Sequence, residues 1–170
     1  MKLVGLATAF GLCLGLASAL TTGLYDQFSD ALNPHLGEPL GDSLYWCGKK
    51  TDVLTIDSVK LSPDPPHKGQ SLLIEGSGRL SEDIVEGSFV DVTVKWGVIV
   101  LIRKRYQLCD LAGEIDEKCP VKQGKVTIKK AIDIPKEVPM GIYTVNAVAH
   151  LPGDSKPGHQ ITCLNARVRF

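Results

Sequence analysis

The sequence has no surplus of charge: 19 basic and 19 acidic residues cancel over 170 positions. Binding nucleic acid by bulk attraction needs Lys and Arg in excess on one face, so no nucleic-acid partner is expected. The usual motifs of site chemistry are missing as well. No two cysteines have the C-x-x-C spacing of a redox pair or the close spacing of a zinc site. His150 and His159 stand on either side of a Pro/Gly loop and read as structural or surface residues. The "GSG" around Ser77 lacks both the G-x-S-x-G spacing and the following helix of a nucleophile elbow. Glu82, Asp83 and Glu86 fall in a turn, where acids are ordinarily solvated. With no convergent set of acid, base and nucleophile, neither an enzyme nor a cofactor or metal is expected. Asn33, Asn146 and Asn165 lack the N-x-S/T acceptor pattern for N-linked glycan. Aromatics are sparse too, at 6% against 44% hydrophobic residues, so the apolar inventory is mostly Val, Ile, Ala and Leu.

What the chain does contain begins with an export signal over residues 1–19. Lys2 supplies the positive start, "LVGLATAFGLCLGL" the apolar region, and Ala17-Ser18-Ala19 the small residues of a cleavage site. The strongly apolar part falls short of the ~20 consecutive residues that a membrane span needs. Residues 20–42, with two prolines and weak periodicity, read as a propeptide or flexible presegment, and 43–170 as the domain. The destination is the secretory pathway, with secretion and a vacuolar or endolysosomal lumen both open. Cys13 departs with the signal. The four cysteines that remain favour two disulfides in an oxidising compartment, with three connectivities to choose from.

From Ser43 onward the pattern is of strands separated by turn signals. Stretches 52–62, 70–81, 124–135, 141–151 and 159–170 are rich in β-branched residues or alternate in polarity. The strongest signal, "SFVDVTVKWGVIVLIRKRYQL" (88–108), puts Val90, Val92, Val94, Trp96, Val98, Val100 and Ile102 on one parity. It is too long for one flat strand, so a bend near Gly97 or a break into two strands is expected. No helical repeat emerges, and six or seven strands at this spacing predict an all-β, antiparallel β-sandwich. In that arrangement Cys47, before the first strand, meets Cys163 in the last, while Cys109 and Cys119 flank one inter-strand loop. The other pairings would drag that loop to a chain terminus.

Small branched side chains between two sheets make either a filled core or a cavity, and composition alone does not choose. The inward parities name the candidates for a pocket wall: Val90, Val92, Val94, Trp96, Ile128, Tyr143, Val145 and Ala147. Arg103, Lys104 and Arg105 follow an apolar strand. They read either as a charged edge that discourages aggregation or as contacts for an anionic head group or membrane surface.

The export signal, the cysteine before the first strand, the Cys119-Pro120 loop end and "PMGIYTV" (139–145) ahead of Cys163 together resemble the ML-domain lipid-recognition family. The likeness covers about 43–170, and Pro139-x-Gly141-x-Tyr143-x-Val145 is its most specific piece. The resemblance implies an immunoglobulin-like sandwich with an internal apolar lipid cavity, and the pairs Cys47–Cys163 and Cys109–Cys119. It implies an exported monomer that carries phospholipid (phosphatidylglycerol or phosphatidylinositol) or sterol between membranes, with transient membrane contact. A lipid-recognition or adhesion module without transfer is the alternative. Many animal members of that family have a third, early disulfide. Residues 50–70 here hold no cysteine, so their sterol specificity is not carried over.

Overall fold

A computed structural model describes residues 36–114, 118–153 and 159–170. The expected signal segment and most of the expected presegment lie outside these residues. Nine strands run β1 (Glu38–Pro39), β2 (Leu44–Trp46), β3 (Leu54–Ser62), β4 (Ser71–Leu80), β5 (Phe89–Trp96), β6 (Ile99–Gln107), β7 (Gly124–Asp133), β8 (Ile142–His150) and β9 (Gln160–Arg169). They form two antiparallel sheets, one ordered β1-β2-β9-β8-β5-β6 and the other β3-β4-β7. The six expected strand regions are all present, and the long run at 88–108 divides in two at Gly97.

That division has a local cause. Trp96 pairs with Ile99, leaving a two-residue turn with Gly97 at φ +55°, a conformation that favours glycine in tight hairpins. The parity expected across the run stops there. Val98 sits on the turn, and Val100 pairs with Lys95 while Ile102 pairs with Val94. Leu101 is thus an extra, bulged residue, and beyond it the even-numbered positions Ile102, Lys104 and Tyr106 return to the inner face. A second difference is a six-residue helix, α1 (Leu108–Gly113), too short for a periodic signal to reveal. At the front of the domain, β1 and β2 add two short strands, and β1 lies within the segment expected to be a presegment.

The sheets are closed at one end. Val53, Leu80, Ala149, Leu151 and Ile161 form the buried cluster, with Val90, Leu108, Val121 and Val126 packed against it. The backbone stitches this end together: Val53 N–H donates to Gln160 O and Ser81 N–H to Val53 O, while Ile84 and Val121 exchange bonds. Buried Asp52 accepts from Lys49 N–H and Gln160 Nε2, so its charge has partners. Both disulfides lie here, Cys47–Cys163 and Cys109–Cys119, with Cα separations of 4.9 and 5.4 Å. Strand β3 lies over β9, where Leu164 meets Ile56 and Val59 across a shared recess. Strands β6 and β7 are edge strands of the two sheets and are connected in sequence through α1. No helix among the described residues is long and apolar enough to cross a membrane.

Candidate functional site

Between the sheets lies a cavity of about 450 Å³, within the ~300–1,000 Å³ range of small-molecule sites. Its walls come from the Ile84–Val121 bridge and four other places. Leu54 and Leu80 supply the three-stranded sheet's closed end, and Val126, Ile128 and Ile132 supply β7. Leu108, Leu111 and Ala112 supply the helical turn, and Ile161 supplies β9. A recess of about 120 Å³ shares Leu54, Val126 and Ile128 with it and continues between Ile74, Gly76 and Leu164. Gly76 helps make the space: a Cβ there would meet nothing nearer than Ser58 O at 4.0 Å. At the β6 and β7 edges of the two sheets, Ile102, Ile128 and Ile132 are 49, 43 and 45% exposed, and the last two are cavity wall.

The wall is almost wholly apolar. Its charged side chains are Lys130 and Glu114, which form an ion pair at 2.8 Å. Lys130 was not among the residues singled out from the sequence, although the signal is there. In "GKVTIKKAID" the inward parity reads Val126, Ile128, Lys130, Ile132, and the lysine interrupts it. Such an interruption on a buried face marks either an edge position or a polar function.

Of the eight pocket candidates, Ile128 lies on the walls of both cavity and recess. Val90 packs against the buried cluster beside them. Val92 is opposite Ala147 and Ala147 opposite Leu164. The three therefore share the inner face, because residues directly opposite in a ladder point the same way. Val94 and Val145 continue that face toward the turn at Gly97. Trp96 and Tyr143 do something else. The Trp96 indole donates to Met140 O at 3.3 Å, and the Tyr143 hydroxyl to Pro139 O at 3.1 Å. A Cβ on Gly141 would collide with that indole, and its φ is +150°. The Pro139-x-Gly141-x-Tyr143 element is thus the anchorage of the β7–β8 loop.

The basic cluster is split by the pleat. Arg105 makes two bonds of 2.7 and 2.8 Å to Asp91 and lies 3.6 Å over the Phe89 ring. This guanidinium holds the Asp91 carboxyl below its usual range. Arg103, opposite Thr93, shares that outer face. Lys104, opposite Val92, is on the inner face, with Nζ 4.7 Å from the Tyr106 ring centroid. Among the described residues no three metal-ligating side chains converge.

The ML-domain family model matches residues 41–170. The chain belongs to the ML-domain family. Within it, the chain is 39% identical to a phosphatidylglycerol/phosphatidylinositol transfer protein of Pyricularia oryzae, the match covering 94% of this chain and 88% of that one. It is 36% identical to the protein of the same name from Aspergillus fumigatus, covering 98% and 95%. Among solved structures it resembles a Niemann-Pick type C2 protein from the Japanese carpenter ant. There the TM-score is 0.51 at 15% identity, over 73% of this chain and 97% of that one. At that identity the likeness concerns the fold, and it shows that this ML domain has its family's β-sandwich.

Proposed function

We propose that this protein carries a phospholipid between membranes by enclosing its acyl portion between the two sheets. The observation that carries the reading is the apolar cavity walled by β7 and α1, whose wall residues Ile128 and Ile132 are nearly half exposed. The relatives named as phosphatidylglycerol/phosphatidylinositol transfer proteins point to the same cargo class. Removing a sixteen-carbon chain from water gains on the order of 12 kcal/mol at ~0.8 kcal/mol per CH2. A bilayer offers that chain nearly equal surroundings, so transfer between membrane and pocket is close to balanced. The protein lowers the barrier of the aqueous crossing, and no bond is made or broken.

In this reading Ile128 and the inner-face residues Val90, Val92, Val94, Val145 and Ala147 flank the acyl chain, while Trp96 and Tyr143 frame the far end. Arg103 and Lys104 meet the membrane surface during a transient contact, and Arg105 keeps the outer face folded through Asp91. The protein works as a monomer in the secretory pathway, reached through the 1–19 signal. Movement of labelled phosphatidylinositol between two vesicle populations tests the proposal. Transfer well above the spontaneous rate is expected. Lipid uptake without transfer would favour a recognition module instead, and no uptake at all would defeat both.

A further inference from the structure

Two adjacent lysines on β7 face opposite ways and meet different partners. Lys129 points outward and pairs with Glu75, its cross-strand neighbour, at 2.8 Å. That is the ordinary arrangement of a solvated sheet face. Lys130 points inward, opposite Ile74, onto a wall made of Ile128, Ile132 and the α1 leucines. Its partner Glu114 comes from the turn that follows α1, outside either sheet. The two partners are unequally exposed: the Lys130 side chain is 38% accessible and that of Glu114 57%. Releasing the carboxylate to water is therefore the cheaper way to break the pair. A lysine left without an anion against apolar walls costs more. On β6, the edge strand of the other sheet, Lys104 is opposite Val92 and so on the inner face.

We propose that Lys130, with Lys104 on the inner face of β6, is the phosphate site of the cavity, and that Glu114 is its stand-in anion when no lipid is bound. This rests on the carrier reading and adds which chemistry the carrier selects. The phosphate oxygens of an entering lipid take the Lys130 ammonium from Glu114, whose carboxylate turns to solvent. Charge-assisted bonds of this type are about twice as strong as neutral ones. The site consequently favours a lipid with a phosphate over one with the same acyl chains and none.

The test measures uptake of phosphatidylglycerol and of diacylglycerol with identical acyl chains from vesicles, for the wild-type protein, Lys130→Gln, Lys130→Arg and Glu114→Gln. Lys130→Gln is expected to lower the phosphatidylglycerol:diacylglycerol ratio by about tenfold, the size of a lost charged hydrogen bond. Lys130→Arg should keep most of the preference, and Glu114→Gln should raise phosphatidylglycerol uptake by removing the competitor. An unchanged ratio in Lys130→Gln overturns the assignment. Wild-type protein that takes up diacylglycerol but shows no preference for phosphatidylglycerol overturns it while sparing the carrier reading. Uptake of neither lipid sinks both. Inorganic phosphate in the buffer separates head group from free ion. Little competition is expected, since only the lipid is anchored by its chains. Full competition at millimolar phosphate would assign the site to the free ion and overturn the lipid assignment.

Discussion

At the closed end of the sandwich Val53, Leu80, Leu151 and Ile161 are 2, 5, 5 and 2% exposed. Along the β6 and β7 edges Ile102, Ile128 and Ile132 occupy equivalent inner positions and are nearly half exposed. The side chains are of one kind, so hydrophobicity does not explain the difference. Closure comes from what crosses between the sheets: the Asp52 clasp onto Gln160, the Val53–Gln160 backbone bond, the Ile84–Val121 bridge and α1 with its own disulfide, while the Cys47–Cys163 bond fastens β2 to β9 within one sheet. The described residues at the β6 and β7 edges include one such link, the Glu114–Lys130 ion pair. A filled core and an open pocket are thus made from one alternating pattern, and the cross-links decide which is which.

Several perturbations should break or sharpen that contrast. Removing the Cys47–Cys163 bond, which closes a sequence separation of 116 residues, should cost the most, about 4–5 kcal/mol by loop-closure entropy. The Cys109–Cys119 bond, spanning 10 residues, should cost about 2–3 kcal/mol on the same basis. Urea unfolding of the paired Cys→Ser variants reads both, and equal losses would contradict the ranking. Leu80→Ala should lose about 2–5 kcal/mol as a core truncation. Ile132→Ala, at the open edge, should lose less than about 1 kcal/mol; comparable losses would mean that the edge is packed after all.

Gly76→Leu probes the space itself. Filling the recess should reduce lipid uptake several-fold while changing stability by no more than about 1 kcal/mol. Normal uptake by a folded variant would place the acyl chain elsewhere. The smallest effect concerns pH. Asp91 is held below its ordinary value of 3.8 by the Arg105 hydrogen bonds, with a smaller opposing contribution from burial. A carboxylate lowered in the folded state contributes stability that is full above its unfolded value and is lost as pH falls through the folded one. Acid denaturation monitored between neutral pH and pH 2 should therefore be shallower in Asp91→Asn, by well under about 1 kcal/mol at a site this exposed. Superimposable acid curves would show that the pair contributes nothing.

Much of this was legible in the sequence. Period-2 alternation gave the six strand regions, and Gly97 marked the hairpin turn because tight turns favour positive φ at glycine. Even cysteine count, an expected export signal and strand order led to both disulfides. The helix α1 escaped because six residues make too short a window for a helical period. The cavity wall was legible only in part. Parity tells which face a residue is on, but which stretch of that face is left uncovered depends on how the second sheet is offset. Hence Val92 and Ala147 were marked from β5 and β8, while the walls of the larger cavity come mainly from β7, α1 and the closed end. Lys130 was readable as a break in the β7 alternation, and its meaning emerges only once Glu114 is seen beside it.

The most direct test of the central claim is native mass spectrometry with hydrogen exchange, on purified protein incubated with phosphatidylinositol vesicles. A single-lipid adduct is predicted, with new amide protection concentrated in Gly124–Asp133 and Ile99–Gln107, the two strands that flank the opening. A protein that remains lipid-free, or an adduct that leaves both strands unprotected, would contradict it.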